Sequence, residues 1–197
     1  MPRVAGQIDE RKSEAILDAA MALFAEKGGA ASMEQIARRA GVSKQTLYNR
    51  YASKVDIGRA LAERRSDAIT APLRTGGEPV EVLTAFAATL LNKLCTPDGR
   101  GDMRGVALLS PQAPDLAEAV YHAGPGESLR RLSLWLEDQD RLGRLRIPDP
   151  MHAAEMFTGM TMGHGHLRGI LGIEHPPFDP EARARETAER FVRAFAP

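Results

Sequence analysis

Between Ser43 and Lys54 the chain reads "SKQTLYNRYASK", a mixture of ammonium, amide, hydroxyl, phenol and guanidinium groups with no carboxylate among them. Lys44, Arg50 and Lys54 are cationic, while the amides of Gln45 and Asn49 donate and accept hydrogen bonds at once. Such a set suits a polyanion whose edges also carry a hydrogen-bond pattern, as duplex DNA does. Lys44, Gln45, Thr46, Tyr48 and Asn49 together can donate to phosphates, read base edges and cover a thymine methyl. Gln45 is the best base reader, because its amide can pair bidentately with adenine N6 and N7; Lys44 can reach guanine or a phosphate. Ser53 and Lys54, at a helix start, offer backbone amides and an ammonium to a further phosphate. The ordinary alternative, a solvated turn between two helices, does not explain why acids drop out here while they balance the bases elsewhere.

That balance hides an asymmetry. The chain has 197 residues and a formal net charge of zero. Residues 1–60 hold ten Lys and Arg against seven Asp and Glu, and the remainder reverses the difference, sixteen against nineteen. From Gln35 to Arg59 the cations Arg38, Arg39, Lys44, Arg50, Lys54 and Arg59 face only Asp56. A basic patch on a neutral chain points to a docking surface, because long-range charge would not hold the whole molecule on an anion.

Other chemistry finds less support. His164 and His166 in "GHGH" are two apart, so on a helix they point to nearly opposite sides and cannot share an ion without local unwinding. His122, His152 and His175 stand in unrelated contexts. The single Cys95 excludes an internal disulfide and a cysteine-based metal cluster, and its place in an apolar helical pattern suits a packed thiol. There is no Gly-rich phosphate loop after a strand and no Ser/His/Asp set. The expectation is a binding protein and not an enzyme, with no catalytic residue, metal or cofactor. No N-terminal apolar run suits a signal peptide, and no window approaches the ~18–20 apolar residues of a membrane span, so a cytoplasmic chain without a membrane partner is expected.

The elements that must hold these side chains are all helices: periodicity near 3.6 recurs, and no stretch alternates as a half-buried strand does. A first helix is predicted over about 9–27, with Ile16, Ala20, Leu23 and Phe24 on one face and Gly28-Gly29 ending it. Ser32 and Gln35 stand in the S-x-x-Q relation of a capping box, opening a short second helix that ends at Gly41. Ser43 caps a third through about Arg50, and Ser53, with Asp56 three residues on, caps a fourth. The second and third helices, joined at Gly41-Val42-Ser43, have the layout of a helix-turn-helix. Ala37 lets them approach, Gly41 permits a left-handed backbone, and Leu47 plugs the angle from the third helix. Farther on, helices fit Pro79 to Leu94, Met103 to Ser110, Pro114 to His122, Gly126 to about Leu142, Pro150 to Ile173 and Asp179 to Ala196. Nine or ten helices are expected, with no internal repeat.

These residues are also recognisable. Residues 10–57 closely resemble the DNA-binding region of TetR-type transcriptional regulators, through "AILDAAMALFAEKG", "SMEQIARRAGVSKQTLYNRYASK" and the spacing between them. The resemblance implies DNA contacts from Ser43, Lys44, Gln45, Thr46, Tyr48 and Lys54, with Tyr48 and Lys54 mainly on phosphates. The chain departs from the family at Asn49-Arg50-Tyr51, where a histidine or aromatic pair followed by Phe is frequent; Arg50 there is read as a further phosphate contact. "LAEAVYHAGP" and "LGRLRIPDPMHAAEMFTGM" look like the C-terminal domain of the subgroup resembling the AefR and AcrR regulators.

By that resemblance the chain divides into a helix-turn-helix head, residues 1–57, and a larger ligand-binding and dimerisation domain, residues 58–197. It implies a homodimer on a palindromic double-stranded operator, acting as a repressor that a small, mostly apolar effector releases; a DNA-binding regulator without an effector is the alternative. Phe86, Met103, Trp135, Met156 and Met160 are the candidates to line an apolar cavity, although such stripes are also plain core. In the last helix Ala184, Thr187, Ala188, Phe191 and Phe195 form one stripe, and the preceding segment carries Gly159, Gly163, Gly165, Gly169 and Gly172. Both suit a subunit contact, with an internal core as the other reading.

Overall fold

Ser32, Ser43 and Ser53 punctuate the first third of the chain as their spacing demands. Helix α1 covers Ala5–Lys27 and ends in a 3-10 turn at Gly28–Ala30, where Gly28 has φ 54°. Ser32 then caps α2, Met33–Arg39, and both halves of the capping box form: the Gln35 N–H donates to the Ser32 hydroxyl and the Ser32 N–H to the Gln35 amide, each at 3.2 Å. Ser43 caps α3, Lys44–Tyr48, and α4 follows over Lys54–Thr70. The computed structural model describes residues 5–94, 104, 111 and 113–197, and it is helical without a strand among them.

After a 3-10 turn at Ala71–Arg74, the remaining helices are α5 Pro79–Leu94, α6 Pro114–Tyr121, α7 Glu127–Arg141, α8 Pro150–Met162, α9 Gly165–Leu171 and α10 Pro180–Ala194. A π turn at His122–Gly126, with Pro125 inside it, leads into α7; proline has no N–H for the regular ladder, which suits a local i→i+5 widening. Cys95, Met103 and most of the helix expected over 103–110 lie outside the described residues.

The described residues fall into two compact units, one within Met1–Glu63 and Gly105–Ala123, the other within Arg64–Arg104 and Gly124–Pro197. The first therefore reaches past position 57 and takes in α6, and α4 begins in one and ends in the other. The core of the first is Ile16, Leu17, Ala20, Leu23, Ile36, Ala37, Leu47 and Ile57. In the second, Phe86, Phe157, Phe191 and Phe195 form a chain of ring contacts with centroids 6.1, 5.1 and 4.6 Å apart.

Two expectations need correction, and a third is narrowed. The helix drawn from Pro150 to Ile173 is two helices, because Gly163 adopts φ 48° and ψ −135°, a conformation that ends α8 and redirects the chain before α9. The third helix stops at Tyr48, with Asn49 as its C-cap, short of Arg50. Finally, of the two readings of the stripe on α10 the internal core applies to four of its five residues, Phe195 being half-buried. Ala184, Thr187, Ala188 and Phe191 are buried inside the unit, where α5 supplies the opposing apolar face through Leu83, Phe86, Ala87 and Leu90.

Candidate nucleic-acid interface

The turn between α2 and α3 is held by backbone. Gly41 sits at φ 66°, which an L side chain rarely adopts, and the Val42 N–H then returns to the Ala37 carbonyl at 3.0 Å. Ser43 receives the Thr46 N–H at 3.0 Å and shares a 2.8 Å hydroxyl contact with Thr46 Oγ1. From α3 only Leu47 enters the core, fully buried among the side chains of α1 and α2. The opposite face is left to solvent: Lys44, Gln45, Tyr48 and Asn49 are all exposed, Tyr48 at 47%. A helix anchored by one leucine and displaying four polar or aromatic side chains is shaped for entry into a groove.

Three of the displayed groups, Lys44, Gln45 and Asn49, have internal partners. The Lys44 ammonium donates to Glu34 Oε1 at 2.6 Å, and the Gln45 amide donates to Asn49 Oδ1 at 2.6 Å, one helical turn away. Hydrogen bonding from Lys44, and secondarily its charge, holds the Glu34 carboxyl below the ordinary carboxylate value. Glu34 is the residue that composition alone missed. It lies one position before the acid-free stretch begins, and only the helix-turn-helix fold brings it to a lysine ten residues on.

Arg50 and Lys54 are placed differently from the α3 set. Both are half-buried. Arg50 reaches back to Ser13 of α1 at 2.5 Å, which makes it a brace within the head. The Lys54 ammonium donates to the Gly29 carbonyl at 2.8 Å. At the start of α4, Ser53 receives the Asp56 N–H at 3.2 Å and donates to the Asp56 carboxylate at 2.8 Å, so an acid already stands beside the amides expected to meet a phosphate.

The described members of the candidate cavity set differ in exposure. Phe86 is fully buried in the core, and Trp135 is half-buried against it. Met156 and Met160 are instead each 42% exposed on α8. Met151, Leu167, Leu171 and Ile173, on α8, α9 and just after it, are likewise more than 40% exposed. His164 and His166 lie exposed around the start of α9.

Comparison with known proteins agrees with this geometry. The AefR-like transcriptional repressor C-terminal domain matches residues 81–197, and the tetR family of bacterial regulatory proteins matches residues 16–61. The HTH-type transcriptional activator FasR of Mycolicibacterium smegmatis is 40% identical over 67 residues, 34% of this chain and 30% of that protein, so the chain spans under a third of this relative's length. The flavonoid-responsive regulator FrrA superposes with a TM-score of 0.72 at 30% identity, covering 95% of this chain and 98% of that one. A TetR-family regulator from Mesorhizobium loti shares the fold at 23% identity with a TM-score of 0.79, covering 96% of this chain and 98% of that one.

Proposed function

This chain belongs to the TetR family of bacterial transcriptional regulators, with an AefR-like C-terminal domain, and on that premise we propose that it is a ligand-responsive repressor that reads a palindromic operator as a homodimer. The observation that carries the reading role is the partition of α3, with Leu47 buried and Lys44, Gln45, Tyr48 and Asn49 displayed. Ser43 and Thr46 set the N-terminus of that helix, and Lys54 and Arg50 flank it, so the proposed DNA-binding set is Ser43, Lys44, Gln45, Thr46, Tyr48, Asn49, Arg50 and Lys54. We assign reading to residues 1–57 and effector binding and dimerisation to 58–197, in the cytoplasm, where the duplex is.

A twofold dimer places two α3 helices in successive major grooves roughly 34–36 Å apart, or at a larger helical spacing, which is why the operator should be partly palindromic. The subunit contact is proposed on the exposed apolar face of α8 and α9, since the stripe of α10 is used internally.

An apolar effector is supported by the length of helical chain beyond the head and by the likeness to FrrA, whose name describes it as flavonoid-responsive. Phe86 and Trp135 lie in or against the core of that unit, where an apolar guest would contact them. A tenfold release of operator requires about 1.4 kcal/mol of effector preference for the DNA-incompetent state.

Selection of bound duplex from a random pool tests the reading role. Gln45→Ala should then lose discrimination at one base pair by about 1–3 kcal/mol; an equal loss on every sequence would remove Gln45 as a base reader. Titrating apolar compounds against Trp135 fluorescence and operator binding together tests the effector. Compounds that bind tightly and leave operator affinity unchanged would favour regulation without a small ligand.

A further inference from the structure

The acid facing Lys44 carries the same sign of charge as DNA, and it pairs with one cation of the proposed reading helix. Glu34 and Lys44 meet at 2.6 Å with their side chains 61% and 64% exposed, so neither is held there by burial. Arg39 is answered in the same manner by Glu26 at 2.6 Å, with side chains 43% and 50% exposed. Exposed pairs of this kind are screened by water and salt and contribute little. That is small enough for a well-placed DNA group to displace the carboxylate, and large enough to matter in a loose encounter with a phosphate.

Building on the DNA-reading role above, we infer that Glu34 is a specificity-setting residue, a carboxylate that holds the Lys44 ammonium away from phosphate on arbitrary sequence and yields it only when α3 is seated on the operator. Non-specific binding is carried by phosphate contacts, and each one adds about 0.9 to the slope of log affinity against log salt. With the pair intact, Lys44 and Glu34 sum to zero charge and add no such contact. On the operator, the insertion of Gln45 and Asn49 brings the neighbouring Lys44 to a fixed base edge or phosphate, and the exposed pair opens. Removing the carboxylate therefore gives a new phosphate contact to the non-specific mode, whereas the operator mode already has it. Affinity for random duplex rises more than affinity for operator, and the ratio between them falls.

The test is Glu34→Gln, nearly isosteric on an exposed face of α2, measured against operator and against random-sequence duplex over a salt series. On random duplex the slope should steepen by about 0.9, so that the variant's advantage changes about 3.5-fold between about 50 mM and about 200 mM salt. On operator the slope should stay as it was. A second comparison in a Lys44→Gln background separates the pair from mere removal of an acid, and there Glu34→Gln should leave both slopes unchanged. An unaltered slope on random duplex, an equal steepening on both DNAs, or the same steepening without Lys44 would each overturn the inference. A wild-type protein with no salt-dependent affinity for any duplex would overturn the DNA-reading role itself, and this inference with it.

Discussion

The Lys54 ammonium donates to the Gly29 carbonyl at 2.8 Å, so the first residue of α4 is fastened to the turn that closes α1. The contact spans 25 positions of sequence and gives Lys54 a second task beside any phosphate. Lys54→Ala should weaken operator and random duplex alike, lower the salt slope by about 0.9 and cost about 1 kcal/mol of stability. Salt-series binding beside thermal melts checks this. A slope equal to that of the wild type, in protein that remains folded, would leave Lys54 the structural task alone.

The apolar surface of α8 and α9 and the buried stripe of α10 predict opposite outcomes for two charge insertions. Phe191 has no exposure, so Phe191→Glu buries an unpaired carboxylate and should yield no folded protein. Met156 is 42% exposed, so Met156→Glu should leave the protomer folded and dissociate the proposed dimer. Circular dichroism with sedimentation distinguishes the two, and a folded dimer for Met156→Glu would place the subunit contact elsewhere.

Two glycines four residues apart should respond with opposite sign. At Gly163 the backbone is at φ 48°, and an added Cβ would stand 2.8 Å from Arg183 Nη2, so Gly163→Ala should lose about 1–3 kcal/mol. At Gly159 nothing lies within 4 Å of that position, and the residue is inside α8. In the Met156→Glu background, which removes the proposed subunit contact, Gly159→Ala should gain up to about 1 kcal/mol by helix propensity. Denaturant melts of the two variants provide the comparison.

At the start of α7, hydrogen bonding from Arg130, opposed by partial desolvation and aided by Arg131, holds the Glu127 carboxyl at about 2 against its ordinary 4.5. A depressed carboxylate stabilises the fold above the unfolded-state value and loses that contribution as pH falls toward the folded one. Glu127→Gln should thus lower stability near neutrality by on the order of 1 kcal/mol, after allowing for solvent screening. The gap from wild type should close between pH 4.5 and about 2. Melts across that window, showing a gap independent of pH, would refute the assignment.

How much of this could be read in advance depended on the range of each interaction. The caps at Ser32, Ser43 and Ser53 act within three residues, and all three form as the spacing predicts. The burial of Leu47 follows from the same local pattern. Periodicity also identified the apolar face of α10, but it cannot say what covers such a face, and α5, about 100 positions earlier, proved to be the partner. The brace between Arg50 and Ser13 spans 37 residues and the pair of Lys44 with Glu34 spans 10, so both depend on the fold. In the sequence Gly163 is one small residue among several, because its positive φ is a property of the backbone and not of composition.

Leu47 is the one side chain that α3 contributes to the core, and this has an evolutionary consequence. Exchanges at positions 44, 45, 48 and 49 leave the packing of the head untouched, and surface changes of that kind move stability by little. On the proposed function, a duplicated copy of the gene could therefore drift to a new operator through those codons while keeping its response to the original signal. The reverse path, a new signal for an old operator, would on the same proposal run through side chains packed in or against a core, such as Phe86 and Trp135, and be slower.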